Sequence, residues 1–377
     1  MKFVHIADVH LDMPFKNIGK NGEKRRLDQI QMIRKIAEYI TNNQIQYLFI
    51  SGDFYEHEYI KEGTMNSIIN IFKKIPNVHI FISPGNHDPY IQDSIYMRKK
   101  FPSNVHIFKN FECIETEDAN IYGYGFTDFY SEGVDLTNVA LKNNGKKNIL
   151  VIHADLDSQK KDDKKYNPIS SKTLKDIGFD YVALGHIHKT NFKEDSNIIY
   201  PGTLMNYRFD KEKSGMVVGE FKENIQYLVT DNPLNDGFRK NDQDKLELKY
   251  IEVDDIKYET IIIDITNIKT KEELLTNINS MEFNKNAFFK IMLVGKKNFE
   301  INEKNILDNL NNERIVVVET SLEFAIDLDE ISKENTLKGI FVRHALEKMK
   351  QAKKEEDIEK EKIYEKAIEI AIQEMRN

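Results

Sequence analysis

The stretch Val78-His79-Ile80-Phe81-Ile82-Ser83-Pro84-Gly85-Asn86-His87-Asp88 decides the fold. Val78 to Ser83 reads as a short strand, and it runs straight into a polar turn. Gly85 permits a tight turn, and the next three residues carry an amide, an imidazole and a carboxylate. The same arrangement recurs on both sides. Phe3 to Ala7 leads into Asp8-Val9-His10, and Tyr47 to Ile50 into Ser51-Gly52-Asp53. Asn148 to Ile152 leads into His153, and Tyr181 to Leu184 into Gly185-His186-Ile187-His188. Between the first strands, Leu27, Ile30, Ile33, Ile36, Ala37 and Ile40 fall at helical spacing, as do Ile68, Ile69 and Phe72. Strands alternating with helices predict an α/β layered domain, with polar residues gathered at the carboxyl edge of its strands, where such folds build sites.

The bulk numbers narrow the class. A chain of 377 residues exceeds one small core and predicts about two or three domains. No apolar run reaches the roughly 18 residues of a membrane span, and residues 1–8 read as a strand with no cleavage site. The single cysteine, Cys113, excludes an internal disulfide and a cysteine-rich zinc knuckle, which points to the reducing cytoplasm. A net charge of -8 argues against a bulk electrostatic DNA binder but leaves room for local basic patches, with Lys20 to Arg26 and Met97 to Lys100 as candidates. A solvated helix face is the plainer reading of each.

The strand-end residues are Asp8, His10, Asp53, Asn86, His87, His153, His186 and His188, which include five of the ten histidines. Carboxylate, imidazole and amide donors without a thiolate suit Mn²⁺, Fe or Zn²⁺ in five- or six-fold coordination, not a closed structural zinc site. Setting His87 aside leaves seven donors, too many for one ion and about right for two that share a carboxylate. Two ions clamp and polarise a phosphate, help that a phosphodiester needs because it repels nucleophiles and has a poor leaving group. A proton donor near the leaving oxygen is also expected, and His87 suits that role. Asp8-x-His10 and Gly52-Asp53 each occur often by chance; the ordered conjunction, each after a strand, does not. His5, His79, His106 and His344 read as packing or surface residues, and His57 could touch substrate.

Residues 231–247 are polar and read as a linker after a domain of residues 1–230. Residues 248–326 follow a β-α-β-α-β pattern, with strands Thr260 to Ile265, Phe288 to Val294 and Arg314 to Val318, and predict a small α+β capping domain. Residues 327–377 read as helical. Leu337, Ile340, Phe341, Ala345, Leu346 and Met349 form one apolar stripe, Ile363, Ala367, Ile368, Ala371 and Met375 another, and charged residues 350–362 join them. Such a pair can fold onto its own domain or grip a partner.

Taken together, these motifs resemble the full set of the calcineurin-like metallophosphoesterases, over roughly residues 1–230. Asp180 to Lys189, followed by Tyr200-Pro201-Gly202-Thr203, is similar to the SbcD-type DNA repair nucleases and their YhaO-type relatives. The resemblance implies a metallophosphoesterase β-sandwich flanked by helices. It implies one metal on Asp8, His10, Asp53 and His188, and another on Asp53, Asn86, His153 and His186, with Asp53 bridging. His87 would be the catalytic acid and Asp88 its orienting neighbour. It further implies a Mn²⁺-dependent DNA exonuclease and endonuclease, acting as a homodimer whose C-terminal helices dock on an SbcC-like coiled-coil ATPase. The first motif departs from SbcD proper in Asp12, with no tryptophan before His10, and Asp12 and Pro14-Phe15 are closer to the YhaO type. The second motif ends in Glu56, where the family usually has aspartate. The alternative reading is a phosphodiesterase or phosphatase acting on nucleotides or other small phosphoesters. About 150 residues beyond the first domain argue for the nuclease, and the intact ligand set argues against an inactive scaffold.

Overall fold

The computed structural model describes residues 1–158, 165–192, 197–209, 213–222, 238–240, 246–297, 299–323, 328–354, 360, 363–364, 366–368 and 371. Strands β1 (Lys2–Ile6), β2 (Tyr47–Ile50), β3 (His79–Ile82) and β4 (Val105–Ile107) run parallel as neighbours. Helix α1 (Gly22–Asn42) links the first pair, α2 (Glu62–Lys73) the second, and a single turn, α3 (Ile95–Arg98), precedes β4. A second sheet begins with β5 (Glu112–Glu115), β6 (Ala119–Tyr124) and β7 (Lys147–His153). A two-strand ladder of β8 (Asp155–Leu156) and β9 (Pro168–Ile169), then α4 (Ser171–Ile177), leads to β10 (Tyr181–Gly185) and β11 (Ile198–Ile199). The second sheet has the order β11-β10-β7-β6-β5. Strands β12 (Gly215–Phe221), β13 (Phe238–Lys240) and β14 (Leu246–Glu252) return to the first sheet, giving the order β13-β14-β12-β1-β2-β3-β4.

Side chains alternate across the pleat, so each strand serves two cores. Phe3, Phe49 and Phe81 turn inward and pack with Ile149, Val151 and Tyr181 of the other sheet. Val4, Leu48 and Ile80 turn outward under Ile33, Ile36 and Ile40 of α1 and Ile68 and Phe72 of α2. Leu150, Ile152 and Leu184 pack against Leu174 of α4 on the far face of the second sheet. This is the α/β sandwich expected from the sequence. Leu27 is an exception to the expected stripe of α1, since it lies on the solvent side of the helix.

The chain divides into two compact units. One comprises Met1–Ile261, Glu282–Ile291 and Asn312–Val317; the other comprises Ile262–Met281, Met292–Asn311 and Val318–Asn377. Strands β15 (Lys257–Asp264), β16 (Ala287–Lys296) and β17 (Ile315–Glu323) form a three-stranded sheet in the order β15-β16-β17, and α5 (Lys271–Asn279) and α6 (Glu303–Asp308) link them. The boundary expected after residue 247 falls inside β14, which pairs with β12 over its whole length. Leu246 and Leu248 show a strand's alternation, but alternation does not say which sheet the strand joins. Of the expected linker, β13 and the first two residues of β14 are described as strand; the rest lies outside the described residues. Tyr258 and Phe288, expected in the capping domain, pack with Phe15 and Ile18 in the first unit.

The C-terminal part contains α7 (Leu328–Lys333) and α8 (Leu337–Lys354). Val342, Ala345 and Ile368 form a small buried cluster, whereas Leu337 and Ile340 face solvent. Met375, at the end of the second expected stripe, lies outside the described residues.

Candidate metal centre

Five strand ends deliver the expected residues to one place. The loop after β1 carries Asp8 and His10, and the loop after β2 carries Asp53. The backbone amides of Asp8 and His10 donate to the carbonyls of Gly52 and Asp53, which locks these loops side by side. Asp8, His10 and Asp53 all have positive φ, near 50°, and His186 has φ 106°. Such geometry costs about 1–3 kcal/mol per residue and gathers where a site needs it. A Cβ on Gly185 would lie 1.7 Å from the Ser51 carbonyl, so only glycine lets β10 approach the second loop this closely.

Asp8, His10, Asp53 and His188 each offer one ligand atom within a sphere where all lie within 4.8 Å of one another. The Nε2 atoms of His10 and His188 face each other at 3.2 Å. On the other side, His153 Nε2 lies 3.1 Å from Asn86 Oδ1 and 3.4 Å from Asp53 Oδ2. That same Oδ2 is 3.9 Å from His10 Nε2, so one oxygen faces both groups. The other oxygen, Oδ1, accepts the His87 amide at 2.9 Å. The His186 ring stands edge-on to that of His153, with centroids 5.2 Å apart, and its amide donates to the Asp8 carboxylate.

The outer nitrogens fix the rings. His153 Nδ1–H donates to the Ser51 carbonyl at 3.0 Å, which leaves Nε2 a free lone pair. His10 Nδ1–H donates to Glu56 Oε1 at 2.7 Å. The Tyr207 hydroxyl and the Arg208 guanidinium lie against Nδ1 of His188. Burial and the neighbouring Asp53 push the Asp8 carboxyl well above the usual range. Burial pushes Asp53 up as well, but the His153, His10 and His87 rings outweigh it and bring it down to about 2. Burial, aided by His10, pulls the His188 imidazole down to about 3, so it keeps its lone pair.

This donor set fits divalent ions. Asp8 and Asp53 are buried, and among the described residues neither has a lysine or arginine within ion-pair distance. Two buried like charges beside lone pairs pointing at each other are costly until a cation joins them.

His87 sits at the mouth, half-exposed. Its Nδ1 lies 2.9 Å from Glu56 Oε2, and this hydrogen bond, against burial, raises the imidazole to about 9. Glu56 therefore spans His10 with one oxygen and His87 with the other. Burial raises its carboxyl, but those two histidines hold it down at about 2. Sequence reasoning noted Glu56 only as a departure from the family and missed this role; its place three residues after Asp53 was the available signal. Asp88 does not hold His87 in the expected way. Its carboxylate accepts from the amides of Asp53, Phe54 and Gly85 and from the Tyr96 hydroxyl, so it ties the second and third loops together.

Two more residues escaped the sequence reading. Gln29, buried in α1, donates to the carbonyls of Val9 and His10 and accepts from the Asp12 amide. Asn167 donates to the His153 carbonyl at 2.8 Å. His5 is a satisfied core histidine, bonded to the Tyr181 hydroxyl and the Leu184 carbonyl. Each basic patch is partly tied up in ion pairs. Arg25 is buried against Asp254, and Arg98 and Lys99 pair with Glu62.

Residues 1–190 match the family description of the calcineurin-like phosphoesterases, half of the chain. The chain belongs to this family. The family consists of phosphoester hydrolases that use two metal ions, in accord with the donors above. Among curated proteins, the chain is 25% identical over 319 residues to the SbcD component of the SbcCD nuclease of Staphylococcus epidermidis, covering 74% of this chain and 80% of that protein. It is 24% identical over 217 residues to the uncharacterized metallophosphoesterase YhaO of Bacillus subtilis, covering 54% of this chain and 52% of that one.

Proposed function

We propose that this phosphoesterase is a DNA nuclease that cuts phosphodiester bonds with two Mn²⁺ ions, as the nuclease subunit of an SbcCD-like repair complex. Asp8, His10, Asp53 and His188 hold one ion in this reading, and Asp53, Asn86, His153 and His186 the other. When bound, the ions polarise the phosphate and supply a nucleophile near neutral pH. The protein's own part is the proton. His87 holds it on the ring nitrogen away from Glu56 and passes it to the leaving oxygen as the P–O bond breaks. Glu56 keeps the ring charged and aimed, and its second oxygen fixes His10, so donor and metal site share one support. The observation that carries this reading is the half-exposed His87, clamped by Glu56 beside the converging donors Asp8, His10, Asp53 and His188.

The choice of DNA is supported by the similarity to an SbcCD component along most of both chains. An SbcC-like coiled-coil ATPase is the proposed partner, gripped by the C-terminal helices of a homodimer. The exposed Leu337 and Ile340 at the start of α8 suit such a contact.

The test compares cleavage of linear duplex DNA, single-stranded DNA and bis(p-nitrophenyl) phosphate in Mn²⁺, with His87→Ala as control. Degradation of DNA by the unaltered protein alone is expected. Turnover of the small diester with both DNAs untouched would instead favour a small-phosphoester enzyme.

A further inference from the structure

Large apolar side chains that stand in water cost free energy, and clusters of them mark binding surfaces. Among the described residues, three aromatic side chains are strongly exposed: Tyr59 at 41%, Phe129 at 38% and Tyr130 at 45%. All three belong to the surroundings of the metal centre. Tyr59 lies three residues beyond Glu56. Phe129 packs edge-on against His57, centroids 5.6 Å apart, and the His57 amide donates to the carbonyl of His87. Tyr130 packs on Tyr166 at 5.7 Å, and Tyr166 on the ligand candidate His186 at 5.2 Å. Consecutive residues thus reach the proton donor's loop on one side and a ligand's ring on the other.

The backbone that presents these rings is pinned. Ser131 bridges to Tyr166, with the Ser131 amide on the Lys165 carbonyl and the Asn167 amide on the Ser131 carbonyl. Asn167 in turn holds the His153 carbonyl. The rings are therefore set relative to the metal ligands before any substrate arrives, which keeps the ordering cost of binding low.

We propose that Phe129 and Tyr130, backed by Tyr166, form a stacking platform for an unpaired nucleobase next to the phosphate being cut. This rests on the DNA reading above and sharpens it to a strand whose base is free to leave the helix. Aromatic rings beside a phosphate site suit this occupant, because every base has a flat face and stacking tolerates any sequence. A base inside an intact duplex has both faces covered by its neighbours.

The test uses the full chain with Mn²⁺ and short single-stranded oligonucleotides, each with one abasic position placed at successive steps from the end. The unaltered protein should cut the fully base-bearing strand roughly tenfold faster, in kcat/KM, than a strand whose abasic position flanks the scissile phosphate. Tyr130→Leu combined with Phe129→Leu should bring that ratio to about one, whereas Tyr130→Phe, which keeps the ring, should retain it. Equal cutting of both strands by the unaltered protein would overturn the platform and leave the nuclease reading standing. A ratio unchanged in the double variant would overturn the assignment to these residues. Turnover of bis(p-nitrophenyl) phosphate with no oligonucleotide cut would overturn the nuclease reading, and the platform with it.

Discussion

The loops at the carboxyl edge of the sandwich and the start of helix α8 break the usual distribution of polarity in opposite directions. The loops bury ionisable groups: Asp8, Asp53, Asp88 and His153 are almost wholly shielded from water. Helix α8 exposes hydrocarbon, with Leu337 76% accessible. Neither pattern favours folding on its own. In the loops the cost is offset inside the chain, through hydrogen bonds from backbone amides and histidines, and in full only by the cations that the donor set fits. In α8 nothing described within its own unit covers Leu337. One region is organised toward a ligand that enters it, and we read the other as organised toward a surface that covers it.

That contrast can be broken from either side. The largest effect is expected at Asp53, whose Oδ2 faces both groups of donors. Asp53→Asn should lose both ions and lower phosphodiester cleavage by about three orders of magnitude or more, measured by metal analysis after gel filtration alongside kinetics. Two retained ions per chain would remove its bridging role.

Next comes His87→Ala, expected to cost roughly 10²–10⁴ in kcat while leaving metal content nearly unchanged. Equal loss of metal would show that His87 serves the ions and not the proton.

Glu56→Gln is milder and tests the same proton by pH. His87 is raised to about 9 through Glu56, so it stays protonated through neutrality and loses its proton as the pH rises past that value. Without the carboxylate, the imidazole should fall toward its ordinary 6.5. The alkaline limb of kcat should therefore move down toward neutral pH, with a loss of roughly tenfold near pH 8. An unmoved limb would sever Glu56 from the proton.

The smallest effect on catalysis is expected from Leu337→Glu with Ile340→Glu. Intrinsic cleavage of the small diester should change by less than about twofold, since exposed substitutions alter stability by roughly 0.5 kcal/mol or less. Capture of a purified SbcC-type ATPase should weaken by about tenfold or more. Undiminished capture would place the contact elsewhere.

Much of this architecture is legible from local pattern. The ends of β1, β2, β3, β7 and β10 are read from apolar runs that stop at polar residues, and the same stops give Asp8, His10, Asp53, Asn86, His87, His153, His186 and His188. What escapes depends on distance along the chain. Glu56 meets His10 across 46 residues and His87 across 31, and no periodicity encodes either meeting. Gln29 meets the Val9 and His10 carbonyls only once the first loop is folded over α1. Arg25 reads as part of a basic patch until Asp254, 229 residues away, closes on it. Strand β14 shows the alternation of any half-buried strand, and only its pairing with β12 assigns it to the large sheet. The resemblance implies the orienting role for Asp88, the neighbour of His87 in sequence; in space the carboxylate on that ring is Glu56.

In the proposed centre two ions share Asp53. The most direct measurement is a Mn²⁺ titration of the metal-free protein, with bound metal counted by equilibrium dialysis and cleavage of a phosphodiester followed in parallel. Two ions per chain are expected at saturation, with activity rising only as the second site fills. Saturation at one ion per chain, with full activity, would contradict it.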